Sequence, residues 1–259
     1  MRIAVLIQGE PRFCKEFDLF LERLKGYDQA DFYFYMWGKS QPISNYWRSR
    51  ESVLVAEPWT NIDRNWAVNK IRENLPANCE VVRFELVDQN SLEFPIIENE
   101  QLGTNTQNLW KMLYSLHKVN ELKTEHEIKN SFIYDLVIRA RPDIMLEGEL
   151  NLNSIKERIN NDGKLISTPD NTRCGPPAAI SDLMSISSSK NIDIYCSLYE
   201  AAYDYYTSGT DFHPEALLAS HLLTYGLNFK EHFGYSIGFR KLGQRIDNDK
   251  YISDFGRWA

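Results

Sequence analysis

The feature that most constrains this chain is a short apolar run that ends abruptly in charged residues and a proline. From Tyr134 to Asp143 the sequence reads Tyr-Asp-Leu-Val-Ile-Arg-Ala-Arg-Pro-Asp. The branched apolar residues at its centre predict a strand that is buried on both faces of a mostly parallel sheet. Because proline has no N–H to donate to a neighbouring strand, Pro142 should end the pairing. Arg141 and Asp143 are then predicted at the carboxyl edge of the sheet, where open α/β sheets bind ligands.

Length and charge favour a single soluble domain. The chain has 259 residues, of which 43% are hydrophobic, and this is enough for one large α/β core spanning residues 1–259. The formal net charge is −7, and no run of lysine or arginine occurs. The chain therefore lacks the positive surface expected of a general nucleic-acid-binding protein.

Cysteine usage and the amino-terminal residues bear on location. The four cysteines are scattered without the paired spacing of a zinc site, which favours reduced thiols in a cytoplasmic protein. The apolar run at residues 3–7 is too short for a signal peptide or a membrane span. We therefore expect a cytoplasmic protein with no membrane span.

Strand-like and helix-like patterns alternate along the chain, and this alternation predicts βαβ units around a parallel or mixed sheet. Besides the central strand, strands are predicted at residues 3–7, 31–37, 79–86, 164–168 and 179–187. Helices are predicted at residues 13–24, 103–123, 190–206 and 214–223, with a turn at residues 8–12. The aromatic segment 38–66 is predicted to form a lid over the sheet, and the chain from residue 234 is predicted to wrap the surface.

Several of these motifs together resemble a known family. Residues 135–143 resemble the central signature of GT-A-type glycosyltransferase-like proteins of bacteria and viruses, in which a strand ends in Arg-x-Arg-Pro-Asp. Residues 3–12 are similar to the opening strand of that family and to its Gly-x-Pro-Arg turn. Further similar segments are the helix that carries Gln107 and Lys111, residues 181–190, and the Pro-Glu helix at residues 213–221.

The resemblance implies a fold, an activity and a set of site residues. The implied fold is a GT-A-like, Rossmann-type, mixed and mostly parallel sheet flanked by helices. The implied activity is transfer of a sugar from a nucleotide-sugar donor to a glycan or another hydroxyl acceptor. The implied donor-binding residues are Gln8, Gly9, Arg12, Gln107, Lys111, Arg139 and Arg141. The implied catalytic residues are Asp143, Asp182 and Glu215.

The resemblance also bears on a metal ion. GT-A enzymes commonly hold Mg²⁺ or Mn²⁺ with an Asp-x-Asp pair, because hard cations prefer oxygen ligands. Position 141 is arginine here, so Asp143 remains the candidate metal ligand, while Arg139 or Arg141 could neutralise phosphate directly. A literal Asp-x-Asp at residues 247–249 has no preceding strand, and it is a weak metal site on sequence grounds.

Simpler interpretations of the same residues remain open. The two arginines and Asp143 could form a structural ion-pair cluster, because perturbed charges also occur outside active sites. Asp182 could cap a turn, and Glu215 could stabilise the first turn of a helix through the helix dipole. The chain could also be a non-catalytic sugar- or nucleotide-binding protein that retains the fold. A nucleotidyltransferase is less favoured, since no Gly-rich phosphate loop follows the first strand.

Overall fold

The computed structural model describes most of the chain. The described residues are 1–9, 17–38, 68–69, 71–73, 75–88, 91–97, 106–142, 144–169, 180–229 and 233–239. The predicted aromatic lid therefore lies outside the described residues except for Gly38, as does the tail beyond residue 239.

The described elements alternate between strands and helices along most of the chain. In the first half they are β1 (Arg2–Gly9), α1 (Phe17–Arg23), β2 (Leu24–Lys25), β3 (Gln29–Trp37), β4 (Cys79–Val87) and α2 (Thr106–Asn130). In the second half they are β5 (Leu136–Ala140), β6 (Ile144–Glu147), β7 (Leu150–Asn151), α3 (Leu152–Asn161), β8 (Met184–Ser187), α4 (Ser189–Cys196), α5 (Leu198–Thr207), α6 (Pro214–Thr224) and β9 (Ser236–Phe239).

A five-stranded sheet forms the centre of the described structure, with the strand order β4-β3-β1-β5-β8. The first four strands are parallel, and β8 is antiparallel to β5. Two small ladders lie beside it, one joining β2 to β7 and the other joining β6 to β9. The protein is thus an α/β protein with a mostly parallel sheet flanked by helices, which confirms the predicted fold class at this level.

The two faces of the sheet are covered by different helices. Ile3, Val5 and Ile7 of β1 join a core with α1 and α3, and we call this side the first face. Ala4 and Leu6 join a core with α2, α4, α5 and α6, and we call this side the second face. Since successive side chains of a strand point to opposite sides, Gln8 belongs to the second face.

The central strand behaves as its sequence predicts. All five residues of β5 are fully buried, and the strand ends at Ala140, just before Arg141 and Pro142. Helix α2 also carries the predicted inward stripe, because Leu109, Leu113, Leu116 and Val119 are buried. It begins at Thr106 and continues to Asn130, beyond the predicted end at residue 123.

Other sequence predictions were wrong in detail. Residues 164–168 form only isolated bridges, at Leu165 and Ser167, instead of a strand. The helix predicted at residues 190–206 is interrupted at Ser197, which separates α4 from α5. The turn predicted at residues 8–12 begins too early, because Gln8 and Gly9 still belong to β1. No sequence pattern predicted α3 or the short strands. Part of the segment that was predicted to wrap the surface instead forms β9, which pairs with β6.

A buried carboxylate ties the amino-terminal edge of the sheet together. Asp31 of β3 is fully buried and accepts hydrogen bonds from Arg2 Nε at 2.9 Å and Arg2 Nη2 at 2.5 Å. The Tyr134 hydroxyl donates to the same carboxylate at 2.6 Å, and Gln29 Nε2 donates at 2.9 Å. These contacts join β1, β3 and the start of β5, so the carboxylate fixes the alignment of the three strands.

Replacing this carboxylate should destabilise the protein. In Asp31→Asn the Arg2 guanidinium loses its anionic partner, and we expect the free energy of unfolding to fall by about 2 to 3 kcal/mol. Urea unfolding followed by circular dichroism measures this change. Asp28→Asn is the matched control, because the Asp28 side chain is 86% exposed and pairs only with the amino terminus among the described residues. An equal effect in both variants would contradict the role of Asp31.

Candidate functional site

The sheet reverses its strand order between β1 and β5. The chain passes outward from β1 through β3 to β4, and α2 then returns it to β5 on the other side of β1. Ligands of open α/β sheets bind at the carboxyl ends of the strands at such a reversal. The corresponding ends here are Gly9 and Ala140, which places the candidate site beside Gln8 and Arg141.

Arg139 lies beneath this edge on the second face. Its side chain is fully buried, and Nη1 donates a hydrogen bond to the backbone carbonyl of Asp182. Nε and Nη2 have no hydrogen-bond partner among the described residues. The guanidinium carbon lies 6.0 Å from the centre of the Tyr195 ring, and burial raises the pKa of Tyr195 to about 12. Arg139 thus anchors the segment before β8 and still has hydrogen-bonding capacity.

Gln8 and Gly9 end the neighbouring strand. Gln8 is 2% exposed, and neither atom of its amide has a partner within the described part of the chain. Gly9 has a φ of 110°, and a Cβ atom there would meet nothing within 4 Å. Glycine is therefore required at this position by the backbone conformation and not by lack of space.

Asp182 comes next to the two arginines because β8 runs antiparallel to β5. The backbone N–H of Arg141 donates to the Leu183 carbonyl at 3.2 Å, which joins the end of β5 to the start of β8. Burial and the negative charge of Glu215 raise the pKa of the Asp182 carboxyl, and Arg141 and Arg139 oppose this shift. In the turn at this position, Ser181 Oγ accepts a hydrogen bond from the Leu183 N–H at 3.3 Å.

Glu215 reaches the same region from the first turn of α6. Its Oε2 lies 2.7 Å from Nδ1 of His213, and the two side chains are 21% and 29% exposed. The close Glu215 carboxylate raises the pKa of His213 against the effect of partial burial, and Asp182 and Asp211 raise it further. We call Arg139, Arg141, Asp182, His213 and Glu215 the crossover cluster.

The predicted site residues are therefore only partly assembled. Arg139, Arg141 and Glu215 lie close enough to Asp182 to influence the pKa of its carboxyl, and Gln8 and Gly9 end the adjacent strand. Gln107 Nε2 instead donates to the Pro95 carbonyl at 3.4 Å, and Lys111 lies one turn further along α2. No hydrogen bond or ion pair between described residues joins either side chain to the crossover cluster. Asp143, Arg12 and residues 247–249 lie outside the described residues.

His221 and Tyr195 differ in how far their local sequence patterns indicate their surroundings. His221, which follows two leucines on a helix, is a buried core residue with Nε2 at 2.7 Å from the Ile194 carbonyl oxygen and Nδ1 at 3.2 Å from the Tyr205 hydroxyl. The place of Tyr195 beside Arg139, by contrast, is not indicated by any sequence motif. The residue lies in an ordinary helical pattern, and only the packing of α4 against β5 brings it to Arg139.

Neither a protein-family model nor a curated protein matches this chain. Within the described ranges, no group of three or more histidine, cysteine, aspartate or glutamate side chains is arranged to hold a metal ion. None of the described helices is long and apolar enough to cross a membrane.

The His213–Glu215 pair should make stability depend on pH. Because the pKa of His213 is raised in the folded state, the pair contributes fully below its unfolded value of about 6.5. This contribution is lost as the pH rises through the higher folded-state pKa. We expect the free-energy difference between the wild type and His213→Gln to shrink by about 0.2 to 1 kcal/mol between pH 5.5 and pH 8.5. Urea unfolding at both pH values measures it, and a difference that grows with pH would contradict the pairing.

Proposed function

We propose that this protein is a nucleotide-sugar-dependent glycosyltransferase that transfers a sugar to a glycan or another hydroxyl acceptor. The observation that carries the proposal is the crossover cluster, in which two arginines and Glu215 lie within electrostatic range of the Asp182 carboxyl beside the carboxyl end of β5. Departure of a nucleoside diphosphate needs fixed positive charge, and activation of an acceptor hydroxyl needs a carboxylate or another base. One cluster supplies both.

We also propose that the domain has a GT-A-like, Rossmann-type fold. A mostly parallel sheet with an antiparallel edge strand and helices on both faces is compatible with a GT-A-like, Rossmann-type domain. The sequence resemblance at residues 135–143 supports that assignment. In this proposal Gln8, Gly9 and Arg12 contact the nucleotide from the end of β1. Gln107 and Lys111 contact the donor from α2, whose first turn follows the chain from the carboxyl end of β4.

The two arginines have different parts in the proposed mechanism. Arg141 is partly exposed at the end of β5, so its guanidinium can approach the leaving diphosphate and hold it with paired hydrogen bonds. Arg139 is buried and already donates to the Asp182 carbonyl, so it also positions the acceptor carboxylate. The raised pKa of Asp182 makes this carboxylate a stronger base than an exposed aspartate, as removal of a hydroxyl proton requires.

A metal ion fits the described carboxylates poorly. Glu215 is paired with His213, and Asp182 faces Arg139 and Arg141, so neither presents a free set of oxygen ligands. A bound Mg²⁺ or Mn²⁺ would supply further neutralisation of the diphosphate, and Asp143 is its proposed ligand. We propose weak binding of such an ion, with Arg141 carrying part of the charge compensation.

We also propose a cytoplasmic location, which Cys79 and Cys196 support because both are free thiols. A second candidate function is a non-catalytic sugar- or nucleotide-binding protein with the same fold. It is favoured by the arginine at position 141, which replaces the first acid of the usual Asp-x-Asp pair.

A donor screen combined with Asp143→Asn tests the proposal. We expect one nucleotide sugar to raise the Tm of the wild type, because a ligand that binds only the folded state stabilises it. Hydrolysis or transfer assays with that donor should then show turnover that Asp143→Asn abolishes, since the variant removes charge needed chiefly in the transition state.

The screen is run with and without Mn²⁺, and Asp204→Asn, at an exposed position on α5, is the matched control. Donor binding without turnover in any condition would favour the binding protein. Absence of binding by every nucleotide sugar would exclude the glycosyltransferase. Near-normal turnover in Asp143→Asn would assign Asp143 a structural role.

Glu215→Gln separates a catalytic role from a helix-stabilising role. A carboxylate that acts on the acceptor hydroxyl should cost about 100- to 10,000-fold in kcat when neutralised, with donor affinity unchanged. A glutamate that only stabilises the first turn of α6 should instead cost about 0.3 to 1 kcal/mol in the free energy of unfolding. Turnover and urea unfolding of the same preparation distinguish the two results, and Glu200→Gln in the first turn of α5 is the matched control.

A further inference from the structure

We infer that Arg139 and Gln8 form a buried binding site for one oxyanion, a phosphate or carboxylate group of the substrate, on the second face of the sheet beneath the crossover cluster. The inference rests on the proposed function for the identity of the substrate. Binding of the oxyanion itself can be measured without any transfer reaction.

One edge of the Arg139 guanidinium is open, and its geometry suits an oxyanion. Nε and Nη2 both lack a partner among the described residues, and these two nitrogens form one edge of the planar guanidinium group. Their N–H bonds point in the same direction, so this edge matches two oxygens of a phosphate or carboxylate. The Asp182 carbonyl accepts from Nη1, which is not part of that edge.

The same chain contains an occupied example of this edge. Arg2 uses Nε and Nη2 to hold one oxygen, Oδ2, of the buried Asp31 carboxylate, at 2.9 Å and 2.5 Å. Arg139 is more deeply buried than Arg2, whose side chain is 35% exposed, but its equivalent edge has no carboxylate among the described residues. Two buried guanidinium nitrogens without acceptors are costly, so the site is suited to an anion that arrives with a ligand.

Gln8 places a second donor beside this edge. In the pairing of β1 with β5, Leu6 is opposite Arg139 and Ile7 is opposite Ala140. Gln8 is therefore the diagonal neighbour of Arg139 on the same face, and the two strands lie about 4.7 to 4.9 Å apart, which is within reach of two long side chains. Both side chains are nine-tenths or more buried, and the Gln8 amide also lacks a described partner. The guanidinium edge of Arg139 and the amide group of Gln8 together supply hydrogen-bond donors for an oxyanion.

The site is buried, and this distinguishes its charge from a charge on the protein surface. Arg139 is the fourth residue of β5, one residue before the end of the strand at Ala140. The backbone of Asp182 contacts it from the segment before β8, and Tyr195 lies against it from α4. A group that binds there is largely removed from water, which strengthens its electrostatic interaction with the guanidinium. The inferred substrate is therefore one that places an acidic group on the second face of the sheet, beneath the carboxyl ends of β1 and β5.

Thermal unfolding at constant ionic strength tests the inference directly. Sodium phosphate, sodium acetate and sodium chloride are compared, and we expect phosphate or acetate to raise the Tm of the wild type saturably while chloride does not. A response to phosphate identifies a phosphate-bearing substrate, and a response to acetate identifies a carboxylate. Absence of a response to both anions would overturn the inference.

Variants at the two positions assign the response. Arg139→Lys keeps the charge but loses the paired donors, so we expect the anion to bind about 10- to 100-fold more weakly. Gln8→Met should weaken anion binding while leaving the Tm without anion unchanged or higher, because the unsatisfied amide is removed. Arg83→Lys is the matched control, since Arg83 is 51% exposed and pairs with Glu125 at 3.3 Å. Unchanged anion affinity in both Arg139→Lys and Gln8→Met would overturn the inference.

An NMR titration of the wild-type protein tests the inference without depending on whether a variant folds. The Nε–Hε resonance of Arg139, assigned through its bonded side-chain carbons by NMR, should shift saturably as the anion is added. A resonance that does not move would overturn the inference. Oxyanion binding that persists when no nucleotide sugar binds would contradict only the glycosyltransferase proposal. Nucleotide-sugar turnover that is unaffected in Arg139→Lys would contradict only the present inference.

Discussion

The parallel pairing of β1 with β5 is the interaction on which the rest of the structure depends. Residues Ile3 to Ile7 pair in order with Leu136 to Ala140, and α2 carries the chain back to that position from the far edge of the sheet. The strand order reverses only because of this return. The reversal puts the ends of β1 and β5 side by side, and the antiparallel β8 then adds Asp182 to the same edge.

Buried charge is treated differently at the two ends of the sheet. At the amino-terminal end, Asp31 is saturated by Arg2, Tyr134 and Gln29. Between α2 and α4, the fully buried Lys123 is likewise surrounded by acceptors: Asp193 at 2.7 Å, Glu127 at 3.1 Å and Ser189 Oγ at 2.5 Å. Such networks hold elements in place because loss of one partner leaves an uncompensated charge. At the carboxyl end, Arg139 and Gln8 retain open donors, which suits an edge that receives ligands.

Much of the fold could be predicted because local patterns carried the information. The branched residues of β5, the inward stripe of α2 and the proline that begins α6 each act through neighbouring residues, and each prediction located its element. Prediction failed where burial alone makes a segment look like a strand. Leu165 and Ile166 are apolar and residues 165–168 are buried, but Leu165 and Ser167 form only isolated bridges, so the state of this segment was decided by the neighbours it meets.

The amino-acid sequence by itself determined that β5 is buried, that it stops before Pro142, and that arginines stand at its end. These are local consequences of apolar side chains and of the missing proline N–H. Only the tertiary structure decided that Arg139 is turned inward with one edge open, and that Asp182, His213 and Glu215 come together beside it. These residues belong to separate elements, and their charges interact only because the strand order and the packing of α6 bring them within electrostatic range.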